Sequence, residues 1–339
     1  MKAARLHGYD QQLRIDQVAM PEVRGHHDVI VRIGGAGLCR TDLHIVEGIW
    51  QEKSGVRLPY TLGHENAGWV EAVGDAVTGV RVGDPVIVHP LVTCGLCAAC
   101  RSGEDMYCEN GRFPGINADG GFAEYLLTGE RALVKLTEGV EPADVAPYAD
   151  AGITAYRAAR KAARLLAPGR WAVVIGIGGL GHIALQCLHH LSSANLIAID
   201  PSPTAQELAR ELGADHVVDG SDPVTAVRDL TGGGAHVVLD FVGERGVQQQ
   251  AVAMLRQGGT HVVVGYGDTL QVPTIDLIFS EIAIVGSLVG NYTELSELMT
   301  LHAEGKVQLR TRRYRLDDVN QAIEDLRQGR IKGRAVLVP

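Results

Sequence analysis

The run Val173-Val174-Ile175-Gly176-Ile177-Gly178-Gly179-Leu180-Gly181 constrains the fold of this chain more than any other stretch. An apolar strand feeds a G-x-G-x-x-G turn, and Leu180 to Leu191 continues as an apolar helix. Gly176 permits the tight turn, Gly178 removes a side chain that would hold a pyrophosphate away, and Gly181 lets helix and strand pack closely. The helix start then offers free N–H groups to phosphate oxygens. The glycines alone match many ordinary turns, but here Asp200 ends the next strand candidate, nineteen residues after Gly181. A carboxylate at that point accepts bonds from ribose hydroxyls and repels a 2′-phosphate. No arginine stands in Pro201-Ser202-Pro203, so the pattern favours NAD over NADP. The plainer reading of Asp200 is a cap on the following helix.

Around this motif, apolar runs alternate with helical segments. Strand candidates are Trp171 to Ile175, Leu196 to Asp200, His216 to Asp219, His236 to Phe241, Thr260 to Gly265 and Ile282 to Gly286. Six such strands make a complete doubly wound parallel sheet. The first 148 residues read as short strands broken by glycine and proline, among them Val29 to Ile33, Ala67 to Gly74 and Pro85 to Val88. Their alternation suits a mostly antiparallel, barrel-like domain. After Gly286 come a helical stretch, Glu294 to Glu304, and mixed segments ending in Gly333 to Val338. A chain of 339 residues is long enough for two domains. The expected division is 1–148 for the first part of a catalytic domain, 149–286 for a dinucleotide domain, and 287–339 for the return to the first.

Four of the six cysteines, Cys94, Cys97, Cys100 and Cys108, fall within fifteen residues. Two-residue spacers let thiolates converge on one soft cation. A disulfide framework fits poorly, since only Cys39 and Cys187 lie elsewhere and no secretory signal precedes them. An iron–sulfur site fits poorly too, because seven residues separate Cys100 from Cys108 and Glu109 follows. Zinc remains, and four thiolates leave it no open position, so this site is structural and the chemistry lies elsewhere.

The formal charge of -9 and an aromatic content of 5% argue against nucleic acid or an anionic membrane as main partner. No apolar run approaches the roughly 18 residues of a membrane span, and the N-terminus lacks a signal-peptide core. The expected compartment is the cytoplasm.

Two further motifs, Gly37-Leu38-Cys39-Arg40-Thr41-Asp42-Leu43-His44 and Leu62-Gly63-His64-Glu65-Asn66-Ala67-Gly68, complete the pattern. With them the chain resembles, from end to end, the zinc-dependent medium-chain alcohol dehydrogenases. The resemblance implies a GroES-like catalytic domain with a structural zinc lobe beside a Rossmann domain, two zinc ions per chain, and NAD. It implies Cys39 and His64 as ligands of a catalytic zinc, with the third from 149–154. Many relatives carry cysteine where this chain has Asp150, and a carboxylate is an acceptable zinc ligand, so Asp150 is assigned there. Glu65 matches a glutamate beside the metal that approaches it transiently, with permanent ligation the rival. Asp42 matches the carboxylate that orients the ligating histidine.

Three ligands leave the fourth position for an alcohol oxygen, whose pKa falls on the metal. The resemblance then implies a proton path through Thr41 and the cofactor ribose to His44, whose intrinsic pKa near 6.5 suits exchange with solvent; a satisfied surface histidine is the bland alternative. Arg40 and Arg334 correspond to cationic contacts to the pyrophosphate, although Arg40 suits a carboxylate partner equally well. Thr154 corresponds to a nicotinamide contact. Gly179 and Leu180 complete the phosphate loop, and Val242, Val264 and Leu288 border the cofactor by position at strand ends. Ile49, Trp50, Ile116 and Tyr292 are pocket candidates, with Trp50 as either an apolar wall or loop packing. The implied reaction is reversible hydride transfer between a primary or secondary alcohol and NAD, giving an aldehyde or ketone, in a homodimer or homotetramer joined through the last strand of the dinucleotide sheet. A polyol or amino-alcohol dehydrogenase of the same fold is the runner-up, and a non-catalytic redox-sensing relative the reading from another class.

Overall fold

The computed structural model describes residues 1–339. The first eight strands are β1 (Lys2–Leu6), β2 (Arg14–Gln17), β3 (Asp28–Leu38), β4 (Tyr60–Thr61), β5 (Glu65–Val73), β6 (Pro85–Val88), β7 (Tyr125–Gly129) and β8 (Leu133–Lys135). There follow β9 (Trp171–Ile175), β10 (Asn195–Ile199), β11 (His216–Val218), β12 (Ala235–Asp240), β13 (Leu255–Val263) and β14 (Ala283–Gly286). The last two are β15 (Thr311–Arg315) and β16 (Arg334–Val338).

The chain divides into two compact units. The first comprises Met1–Ile153, Gly290–Ala303 and Leu309–Pro339, the second Thr154–Val289 and Glu304–Gln308. The first change of unit falls inside one helix, Ala151–Ala163.

The first unit holds a three-stranded sheet, β2-β1-β4, and a seven-stranded sheet ordered β15-β16-β3-β5-β6-β8 with β7 also paired to β3. All pairings are antiparallel except β15 with β16. β3 organises this unit, since it pairs with β5, β7 and β16. β7 pairs with its residues Asp28 to Arg32 and β16 with Ala36 to Leu38, while β5 pairs along nearly its whole length with register shifts between Ile30 and Val31 and between Ile33 and Gly35. Leu6, Leu38, Ile45, Leu62 and Phe122 are fully buried within the core that results.

The second unit is a parallel sheet ordered β11-β10-β9-β12-β13-β14. The reversal beside β9 is the doubly wound arrangement, whose ligand site lies at the carboxyl ends of the strands where the order reverses. Ala172 to Ile175 of β9 are buried in succession, as a strand covered on both faces requires. The sequence places the fifth strand at Thr260 to Gly265, whereas β13 begins at Leu255. Leu255 pairs with Ala235 and Thr260 with Val237, so the exposed Arg256, Gln257 and Gly258 form a bulge. Their polarity reads as a turn in the sequence, and the pairing on both sides of them is what extends the strand.

Candidate active site

Three strand registers bring the central cluster together. β3 runs out at Leu38, and Cys39 follows in extended conformation at the start of the helix Arg40–Val46. Pairing of Gly37 with Glu65 sets β5 beside that end, with His64 one residue before it. Pairing of Ala335 with Leu38 sets Arg334 on the other side. Asp150 sits between the turn Ala146–Ala149 and the helix Ala151–Ala163. Cys39, His64, Glu65 and Asp150 thus offer ligand atoms that all lie within 4.8 Å of one another.

His64 is buried, and neither ring nitrogen makes a hydrogen bond within the protein. Its Nδ1 lies 3.3 Å from Asp42 Oδ1 and its Nε2 3.4 Å from Asp150 Oδ2. Asp42 Oδ2 accepts the backbone N–H of Cys39 at 2.8 Å. One carboxylate therefore caps the helix and faces the outer nitrogen of His64, leaving Nε2 directed at the other donors. Burial works against a charged His64, but the carboxylates of Asp42 and Asp150 outweigh it and raise its pKa well above the usual value. A thiol, an imidazole and carboxylates are donor types that a zinc ion takes, and these four residues could hold one.

Glu65 is fully buried, and burial raises its pKa against the opposing pull of Arg334. Arg334 Nη2 donates to both Glu65 oxygens at 2.5 Å. The same glutamate accepts the Ala151 backbone N–H at 3.1 Å, tying the residue after Asp150 to the cluster.

The four-cysteine lobe forms a second group whose sulfurs lie within 4.8 Å of one another. Cys94 and Cys108 sulfurs are 3.6 Å apart, close to the edge of about 3.8 Å that a tetrahedron with Zn–S bonds of about 2.3 Å requires. Backbone N–H groups of Leu96 and Cys97 point at Cys94 Sγ from 3.4 Å and lower its pKa to about 6. All six cysteines are unpaired, so the disulfide alternative fails.

In the second unit, the phosphate loop has the shape its glycines imply. Gly176 has φ +86, and a Cβ on Gly181 would collide with the Gly176 carbonyl oxygen. A Cβ on Gly178 would meet no protein atom within 4 Å, so the space over that backbone suits a ligand. Asp200 accepts the Ile177 N–H on one carboxylate oxygen at 2.8 Å and the Ser202 N–H on the other at 2.9 Å. It does act as a local cap, yet each oxygen keeps acceptor capacity for a ribose hydroxyl.

Residues 25–138 match the alcohol dehydrogenase GroES-like domain family, and residues 179–304 the zinc-binding dehydrogenase family. The chain is 37% identical to an NAD-dependent alcohol dehydrogenase of Sulfurisphaera tokodaii over the whole of both proteins. It is 37% identical to a D-arabinose 1-dehydrogenase (NADP(+)) of Saccharolobus solfataricus, covering 100% of this chain and 97% of that one. The crystal structure of an alcohol dehydrogenase from Aeropyrum pernix superimposes with a TM-score of 0.97 at 52% identity, covering both chains fully. The chain belongs to the zinc-dependent medium-chain alcohol dehydrogenases. It is an enzyme, an oxidoreductase of that family's mixed α/β architecture.

Other expected residues of this dehydrogenase are placed as follows. Thr41 and His44 are half-buried and three residues apart on the helix Arg40–Val46, hence on one face; Arg40 is exposed beside them. Thr154 is buried, Gly179, Leu180, Val242 and Val264 are half-buried, and Leu288 is exposed. Arg334, expected as a pyrophosphate contact, is committed to Glu65 inside the metal cluster.

The pocket candidates of the dehydrogenase differ in setting. Ile49 is 58% exposed, while Trp50 packs on the core of the first unit with the Lys53 ammonium 5.8 Å from its ring. Ile116 is a core residue, and the Tyr292 hydroxyl donates to the Leu133 carbonyl at 3.2 Å. The sequence reading missed Phe113, whose ring stands edge-on to His64 with centroids 6.0 Å apart. Nothing in the local sequence marks Phe113, because it approaches His64 only through the loop after Cys108.

Proposed function

We propose that this enzyme oxidises primary or secondary alcohols, reversibly, with NAD as hydride acceptor. The observation that carries the reading is the convergence of Cys39, His64 and Asp150, with an imidazole nitrogen that makes no hydrogen bond within the protein. Zinc in that site supplies Lewis acidity to the substrate oxygen, and NAD supplies the hydride acceptor. Asp42 holds the His64 ring so that Nε2 faces Asp150. Arg334 holds Glu65 turned toward itself, so Cys39, His64 and Asp150 act as the ligands and a position stays open for substrate. Thr41 and His44, side by side on one helix face, carry the alcohol proton toward solvent. Phe113 gives the substrate side of His64 an apolar wall, which favours alcohols with hydrocarbon substituents.

The cofactor reading rests on the open space over Gly178 and on Asp200, with Thr154, Val242, Val264 and Leu288 as its further contacts. A relative named for D-arabinose and NADP(+) makes sugars the second substrate class to test. The test is a panel of alcohols, polyols, aldoses, aldehydes and ketones with NAD(H) and NADP(H), run alongside zinc analysis. Turnover of simple alcohols with NAD and two zinc ions per chain is expected. A preference for NADP, or one zinc or none in undamaged protein, overturns the reading.

The enzyme acts as a homo-oligomer through the β14 edge. β14 pairs only with β13, Val285 on it is 37% exposed, and the neighbouring helix Thr274–Ser280 exposes Ile275, Ile278 and Phe279 by 55%, 69% and 72%. An open edge flanked by apolar side chains is a template for a second copy. Light scattering on Val285→Lys should show dissociation to smaller species. The cytoplasm is the proposed compartment, supported by six unpaired cysteines. No helix is long and apolar enough to cross a membrane.

A further inference from the structure

A second buried pair of ionisable groups lies in the dinucleotide unit. Asp240 ends β12, and His261 lies within β13; both side chains are fully buried. Asp240 Oδ1 accepts the N–H groups of Val242 at 2.8 Å and Gly243 at 3.0 Å. Its Oδ2 makes no hydrogen bond, and neither does either ring nitrogen of His261. The two groups face each other, with His261 Nε2 3.9 Å from Asp240 Oδ2.

Their surroundings are apolar. Asp240 pairs with Ile175 and Val263, and His261 with Val238 and Ile284. Burial raises the Asp240 pKa and lowers that of His261 to about 4. Burial is the main cause of both shifts, and the link between the two groups is the 3.9 Å approach of His261 Nε2 to Asp240 Oδ2. A strand interior that merely needed filling would take an aliphatic residue at 261, as its register partners do.

The turn that Asp240 fixes touches the phosphate loop. A Cβ on Gly176 would meet Val242 Cγ2 at 2.7 Å, which places that methyl against the first glycine of the fingerprint. The Asp240 carbonyl also accepts the N–H groups of Val264 and Gly265, so one residue anchors the carboxyl ends of both strands.

We propose that Asp240 and His261 are positioning residues for the dinucleotide: His261 holds the inner oxygen of Asp240, directly or through one water, so that the outer oxygen keeps Val242 and Gly243 seated against Gly176. This rests on the reading of the second unit as an NAD site. A closing shift of about 1 Å makes the contact a normal hydrogen bond.

The test is NADH affinity by fluorescence titration, with steady-state KM for NAD and thermal melting, on zinc-loaded enzyme. His261→Leu and Asp240→Ala should each weaken NADH binding by about tenfold and raise KM for NAD more than they change kcat. Asp240→Asn and His261→Gln, which keep a polar partner at each position, should retain most of the affinity. A purely structural role predicts lower melting temperatures with NADH affinity within about twofold of the parent at temperatures where the variants are folded; that result overturns the proposal. Should His261→Leu fail to fold, Asp240→Asn and His261→Gln decide, since losses there as large as in Asp240→Ala also overturn it. Absence of NADH binding to the unmodified enzyme overturns the cofactor reading itself, a result distinct from unchanged affinity in the variants.

Discussion

Arg334 Nη2 lies 2.5 Å from both carboxylate oxygens of Glu65, and the pair is buried, with Arg334 only 4% exposed. The guanidinium offsets part of the cost of burying the carboxylate, and the carboxylate part of the cost of burying the guanidinium. Removing one partner strands the other, so Arg334→Met and Glu65→Leu should each cost about 3–5 kcal/mol of folding stability. The double variant should recover much of that loss. Denaturant unfolding of the four proteins measures the coupling, and additive losses would contradict an interdependent pair.

Asp42 serves His64 in the same site. Asp42→Asn retains an oxygen for the Cys39 N–H but removes the negative charge facing Nδ1. The affinity of the catalytic site for zinc should fall about 10–100-fold while the lobe keeps its ion. Competition with a chromogenic chelator reads the two sites separately, and two ions held as tightly as in the parent would exclude the orienting role.

The sequence carried the candidate ligands more clearly than the residues packed around them. Local patterns expose Cys39, His64 and the four-cysteine lobe, because each needs only its own spacing or motif. The glycine fingerprint is equally local, and β9 with the helix Gly181–Leu191 follows from it. Arg334 and Glu65 are 269 residues apart, and only the registers of β16 and β5 on β3 bring them together. The same limit hid Phe113, which reaches His64 across the chain, and the Asp240–His261 pair, which exists only through strand register. The start of β13 at Leu255 was hidden for another reason: polar bulge residues interrupt the apolar pattern that marks a strand.

The tail of the first unit is held by an acid-sensitive contact. Hydrogen bonds from Arg330, then Tyr314 and Gln321, lower the Asp325 pKa to about 2. A carboxylate depressed in the folded state adds stability that is complete above its unfolded value, about 3.9, and fades as pH falls through 2. Asp325→Asn should therefore be less stable than the parent at pH 7, with the gap narrowing below about pH 4 and closing near pH 2. Unfolding midpoints across that range check it, and a gap independent of pH would remove the charge from the explanation.

On the proposed reading, cofactor choice turns on Asp200. Its two carboxylate oxygens hold the N–H groups of Ile177 and Ser202, so the charge proposed to meet the ribose also anchors the glycine loop. Asp200→Gly removes both functions. KM for NAD should rise about tenfold through the lost loop anchor and ribose bonds, and the preference for NAD over NADP should shrink because the 2′-phosphate no longer meets a carboxylate. Asp200→Asn separates the two effects. It retains an acceptor for the Ile177 N–H, so it should relax the NAD preference with a smaller rise in KM. The ratio of kcat/KM for the two cofactors, measured with one alcohol for all three proteins, decides. An unchanged ratio in Asp200→Asn would mean that the charge of Asp200 does not select the cofactor and that its work is confined to the loop.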